Sequence, residues 1–309
     1  MPKGLGLAAA AGLTSGLVTL SVISGGGSGM LLAYVTPLPL VLVGLAFGLG
    51  PCLLALAVGA SVLAVVEWTA VPPFFAIGAI PALLVTAVAL QARRAADGRI
   101  EWGKPGIMLL FLALGAVAVT VLMALSLPTE GKSIEDWLRE QAAPLVDQAL
   151  SGAPDEVRSA IVGLWAAILP ALVGLAWLAM TLVNGLVGQW AVTRAGRALR
   201  PTPDFASFSL PLWLAPGAGL VAVLGVIGGD AGYLARNVAI LLMAPYLVAG
   251  LVEVHASVRG KPLAGRRLAV FYGVFFALFG WSAIAVTAWG VVRQWMRSQR
   301  AEPALDQEK

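Results

Sequence analysis

Nine apolar runs, most of them about 17 to 25 residues long, follow one another along the chain at 5–23, 30–49, 51–67, 71–91, 106–127, 159–193, 209–229, 236–258 and 268–292. A hydrocarbon core about 30 Å thick is crossed by roughly 20 residues of helix rising 1.5 Å each, so these runs have the length of membrane crossings. No water reaches that depth, and backbone polar groups there must be satisfied within the protein. The pattern predicts an all-α fold, a polytopic membrane helix bundle of eight or nine transmembrane helices plus an external amphipathic helix. Composition agrees: 59% of residues are hydrophobic and 12% charged, with a mean hydropathy of +0.89, where soluble domains carry about 25% charge. The expected organisation is a single transmembrane domain over 1–300, with its external segment at 129–158, and a disordered tail over 301–309. The first run is longer than the apolar core of a signal peptide and lacks a small-residue cleavage site, so it reads as the first span.

Charge sets the topology. Basic residues cluster in three short loops, Arg93, Arg94, Arg99 and Lys104; Arg194, Arg197 and Arg200; and Arg259, Lys261, Arg266 and Arg267. These loops are expected on the cytoplasmic side, with Lys3 placing the N-terminus there too. The acid-rich stretch at 130–156 then falls outside. One end resists the scheme, because a single last span would put Arg293, Arg297 and Arg300 outside. Either that tail is a tolerated exception, or one of the last three segments is re-entrant, with the Pro- and Gly-rich stretch 210–229 as the irregular candidate. Ser133 reads as the N-cap of the external helix, and Ile134, Trp137, Leu138, Leu145 and Ala149 fall at helical spacing around a kink at Pro144. That helix lies on the membrane interface or covers the bundle as a lid. The run 159–193 would be about 52 Å long as one helix, so it must tilt, protrude or break, with Pro170 as the natural break.

Residues 34–51 combine Pro37, Pro39 and Pro51 with Gly44, Gly48 and Gly50. The prolines remove backbone donors, which predicts a short helix from about Leu40 to Gly50 preceded by an extended segment at 36–39. The freed backbone groups need partners from neighbouring protein or from a water-lined cavity. Gly44 and Gly48 form a G-x-x-x-G pair for close helix approach. Both readings stand at this point: plain packing, or a ligand cavity that includes Thr36, Gly44 and Gly48.

Few side chains offer chemistry. Glu67, Asp230, Glu253 and His255 are the ionisable groups within or beside spans. Asp230 and Arg236 are expected to form a structural ion pair across an external turn. Glu253 snorkels, pairs with a loop arginine or lines a cavity, while His255, two residues on, lies on another helix face. Asn184, with Thr181 on the same face, and Asn237 are expected to hydrogen-bond across helices or, where a cavity exists, to line it. The one cysteine, Cys52, reads as packing. One histidine and one cysteine give no metal spacing, and no catalytic signature or cofactor motif occurs. The expectation is a non-enzyme with no metal and no cofactor.

The P-L-P followed by G-L-A-F-G, the long middle span after an external helix, the F-S-L-P-L-W-L opening the last third and the W-x-x-R tail resemble the YybS-like family of bacterial integral membrane proteins of unknown function. The first half is more remotely similar to the substrate-binding components of energy-coupling-factor transporters and to the related membrane protein of rod-shape systems. The resemblance implies a bacterial inner-membrane protein and two functional readings. In the leading one it is a transport-related component that binds a small hydrophilic metabolite. In the other it is a non-transporting scaffold or assembly factor of the cell envelope, partnered by other membrane or envelope proteins. The lipid bilayer is its medium in both, and nucleic acid is no partner in either.

Overall fold

The computed structural model describes residues 3–205 and 208–305. Helices follow in the order α1 (Lys3–Ser24), α2 (Gly26–Ala33), α3 (Leu38–Phe47), α4 (Leu49–Val66), α5 (Val71–Phe74), α6 (Ile80–Ala89), α7 (Pro105–Leu125), α8 (Ile134–Ala149), α9 (Asp155–Arg194), α10 (Leu214–Leu224), α11 (Gly229–Val258), α12 (Ala264–Ala277) and α13 (Phe279–Leu305). The protein is an all-α, multi-pass membrane protein. Among the described residues six helices are long and apolar enough to cross a membrane: Gly4–Ser24, Leu49–Val66, Trp68–Ala89, Pro105–Leu125, Asp155–Arg194 and Gly229–Val258. Two shorter apolar helices, Leu31–Phe47 and Leu214–Leu224, accompany them. Of the expected tail, α13 extends to Leu305 and 306–309 lie outside the described residues. The chain divides into two compact units, 1–115 with 176–207 and 116–175 with 208–309, so that the division falls within α7 and α9.

In the first unit α1 lies against α4 through glycine. A Cβ on Gly12 would run into the Ala55 backbone, and one on Gly59 would come within 2.7 Å of the Phe74 ring. Such bare positions let two apolar helices bring backbones together where lipid offers no hydrophobic drive. The short helix expected near Leu40 is α3, and it stops at Gly48, whose φ of +94° suits glycine. The segment before it is a turn, not the extended piece expected at 36–39. Tyr34, Val35 and Thr36 donate to Leu31 O, Leu32 O and Ala33 O, and Pro39 sits in the first turn of α3, where a missing N–H costs nothing. The Trp68–Ala89 span is irregular, with a π-helical turn at Phe75–Ala79 between α5 and α6. A two-stranded hairpin, β1 (Ala92–Arg94) and β2 (Ile100–Trp102), occupies the first arginine-rich loop and pairs Arg93 with Glu101.

In the second unit α8 begins at Ser133, whose side chain accepts from Asp136 N, and stays one helix through Pro144. Its apolar stripe is Ile134, Leu138, Ala142 and Val146, buried against Ala124, Val162, Ala166 and Tyr233. Leu145, expected on that face, is 67% exposed. The apolar face of α8 is therefore turned to protein. α9 does not break at Pro170 but runs 40 residues as one helix. The expected last span instead divides at Leu278 into α12 and α13, and the 210–229 stretch reduces to the 11-residue α10.

Candidate functional site

Proline leaves a carbonyl one turn behind it without its usual donor, and in a membrane that carbonyl needs another. Single polar side chains from other helices meet this need repeatedly. In the first unit the Tyr34 carbonyl, displaced by the turn at Pro37, accepts from Asn184 Nδ2 at 2.7 Å, and the same amide donates to Met180 O at 2.8 Å. The Thr36 carbonyl accepts from Ser15 Oγ at 2.6 Å. In the π-helical turn Ile80 N donates to Phe75 O, and the next donor in register would be Pro81, which has none; the Ala76 carbonyl takes the Trp177 indole N–H at 2.7 Å.

The space around this knot is filled. Thr36, Leu40, Val41 and Cys52 have no exposed surface. A Cβ on Gly44 would collide with the Thr86 side chain, and one on Gly188 would come within 2.7 Å of Val41. Thr181 is buried and donates within its own helix to Trp177 O at 2.8 Å. Of the residues expected to line a cavity here, Thr36 and Asn184 do meet around the same turn, each on a backbone carbonyl. Gly44 closes against Thr86, and Gly48 ends α3 beside Leu199.

Sequence reasoning missed Arg200 as a site. It is 4% exposed, and its Nη1 donates to Ala89 O, the last residue of α6, at 2.9 Å. Its guanidinium stands 5.6 Å from the Trp102 ring, and its carbonyl accepts from Gln189 at 3.1 Å. The charge sits against the carbonyl end of α6, where a helix presents partial negative charge, and burial pushes its pKa down. Arginine-rich loops are read as topology signals, so nothing in the sequence separates this arginine from Arg194 or Arg197.

In the second unit Pro170 opens α9 and two residues of α11 close it. The Ala166 carbonyl, which would bond residue 170, takes the Tyr233 hydroxyl at 2.5 Å. Asn237 inserts into the next step: Ala171 N donates to its Oδ1 at 2.9 Å, and its Nδ2 donates to Ala167 O at 3.1 Å and Tyr233 O at 3.0 Å. Asn237 is 1% exposed and does the work of a backbone rung.

Asp230 and Arg236 do not hold each other. Asp230 accepts from Ile134 N at 2.8 Å, and Arg236 reaches Glu135 at 3.1 Å and Gly225 O at 3.0 Å. The N-terminus of α8, with its unpaired N–H groups, offers the carboxylate a better partner than a solvated guanidinium. Both expected partners thus fasten α8. Glu253, 8% exposed, pairs with Arg293 at 3.0 Å and also with Arg297. The C-terminal arginines are therefore held about a turn and a half from Arg259, at the same end of α11. His255 meets Tyr272 at 2.8 Å. Glu67 caps the turn at Trp68–Ala70 through Thr69.

Among the described residues no three His, Cys, Asp or Glu side chains are grouped to hold a metal. A cavity of about 380 Å³ lies between α10, α11 and α13, with Leu212, Pro216, Tyr246, Val291 and Trp295 as its apolar wall and Gln294 and Gln299 as its polar groups. No curated protein and no solved structure matches this chain. A family model described as a predicted membrane protein matches residues 12–292, nearly the whole of the helical chain just described. With that match, the chain belongs to the DUF2232 family of predicted membrane proteins.

Proposed function

We propose that this multi-pass membrane protein acts as a non-transporting scaffold or assembly factor of the bacterial cell envelope, in the inner membrane with its N-terminus in the cytoplasm, and without an enzymatic reaction of its own. One observation carries the reading. A transport-related component needs a polar cavity in the first unit between 34–51 and Asn184, and there the Asn184 amide, Ser15 and the Trp177 indole are all engaged on backbone carbonyls amid fully buried side chains. Their donor hydrogens are spent on backbone carbonyls, and the packed side chains around them leave no room for a hydrophilic ligand.

The reading as a small-metabolite-binding, transport-related component, which the likeness to energy-coupling-factor substrate components suggested, would need that knot to open. Thiol labelling in intact membranes separates the two. Cys52 and a Thr36→Cys variant are expected to resist small water-soluble thiol reagents, while native mass spectrometry of gently extracted protein gives stoichiometric envelope proteins and no hydrophilic metabolite. Rapid labelling at both positions, or a stoichiometric hydrophilic metabolite released on unfolding, would overturn the scaffold reading.

A further inference from the structure

The cavity of the second unit has the chemistry of an amphiphile site. Leu212, Ala215, Pro216, Tyr246 and Val291 give it an apolar body. Its volume of about 380 Å³ falls in the ~300–1,000 Å³ range of small-molecule sites. At the ~30 Å³ that a water-sized group occupies, it holds on the order of a dozen methylene-sized groups. A hydrophilic metabolite would find few partners there, since the polar side-chain atoms of the lining are confined to Tyr246, Gln294, Trp295 and Gln299.

The polar end is on the other side of Gln294. That side chain, 9% exposed, lines both this cavity and an adjoining small hollow formed with Phe208, Glu253, Arg293 and Arg297. Its Nε2 donates to Leu210 O at 3.0 Å, which leaves Oε1 for a hydroxyl donor. One carboxylate there faces two guanidiniums, so the cluster keeps one net positive charge, and the Arg297 side chain is 43% exposed. Trp295, 62% exposed, stands at the rim, where an indole suits the boundary between acyl chains and headgroups. The cluster is at the end of α11 that carries Arg259, the end that the arginine-rich loops assign to the cytoplasm, and the cytoplasmic leaflet is the anionic one.

We propose that this cavity takes one acyl chain of an anionic glycerophospholipid whose phosphate meets Arg297 and Arg293 and whose headgroup hydroxyl donates to Gln294. Apolar volume, residual positive charge and a free acceptor within a turn of one another are what such a molecule requires. The inference goes beyond the scaffold reading and holds whether or not that reading stands.

The test uses the full-length protein in a mild non-ionic detergent, offered phosphatidylglycerol, phosphatidylcholine with the same acyl chains, or inorganic phosphate, and read by native mass spectrometry. One phosphatidylglycerol per chain is expected to survive, with phosphatidylcholine and phosphate lost. Arg297→Gln, a half-exposed position outside the packed interior, should weaken retention on the order of fivefold, the worth of one basic residue at a lipid surface, and Arg297→Lys should keep it. Val291→Trp, which fills the cavity, should abolish it. Equal retention of the two lipids, retention of phosphate alone, or phosphatidylglycerol binding unchanged by Arg297→Gln would overturn the proposal.

Discussion

Replacing Asn237 with leucine keeps the volume and removes the amide that completes α9 at Pro170. The buried Ala171 N–H and the part-buried Ala167 carbonyl lose their 2.9 Å and 3.1 Å partners. Two unsatisfied groups at ~1–3 kcal/mol each set an upper range of about 2–6 kcal/mol. Interhelical hydrogen bonds in membrane proteins average nearer ~0.6 and reach ~1.7 kcal/mol, because the inserted but unassembled helix finds other partners. We therefore expect Asn237→Leu to cost about 2 kcal/mol, toward the upper end for the two linked bonds. The diagnostic variant is Pro170→Ala, which restores the donor at 170 and lets Ala171 N return to Ala167 O. In that background Asn237→Leu should cost under ~1 kcal/mol, giving a coupling above the ~0.5 kcal/mol expected of independent sites. The assay is reversible unfolding in mixed detergent followed by circular dichroism for the four members of the cycle. Equal costs of Asn237→Leu in both backgrounds would refute the idea that Asn237 serves the proline.

Other outcomes follow from single contacts. Arg200→Met should destabilise the first unit by ~1–3 kcal/mol by leaving the Ala89 carbonyl without its donor, with Arg200→Lys only a partial rescue because a point charge cannot reproduce the fork; thermal unfolding in detergent and protease sensitivity of the hairpin would report it. Gly44→Val should cost ~1–3 kcal/mol by overpacking against Thr86, and Thr86→Ala should recover only part of it because the residue-86 Cβ still lies 2.9 Å from the added Cβ, as read by melting temperature. Glu253→Gln leaves Arg293 and Arg297 without a countercharge; since both guanidiniums are part exposed the cost is discounted to about 1–2 kcal/mol, measured by the same unfolding assay.

Much of the helical architecture was legible, because apolar length and proline placement act locally. The short helix within 34–51, the Ser133 cap and the hydrogen-bonding roles of Asn184 and Asn237 all follow from rules that need no partner, although that helix ends at Gly48 and not at the expected Gly50. What failed needed to know who stands opposite. Asp230 and Arg236, close in sequence, were natural partners until the start of α8 came to lie against both. Glu253 gave no sign that its arginines lie 40 residues on, and that pairing relieves the misplaced arginine tail. The division at Leu278 carries no proline, and the burial of Arg200 is set by Trp102 and α6. Pro170 looks like a break in sequence because the groups that close it, Tyr233 and Asn237, lie more than 60 residues later.

That closure gives synthesis an order. Ribosomes deliver α9 to the membrane before α11, so for the time it takes to make the intervening chain the Pro170 step sits in lipid with polar groups open. A nascent α9 in that state is an unfinished part, exposed to whatever chaperone or quality-control protease inspects membrane spans for bare amides. Variants that delay or misplace α11 should thus be read by the cell as defects of α9, and their phenotype should be rapid turnover of the whole chain.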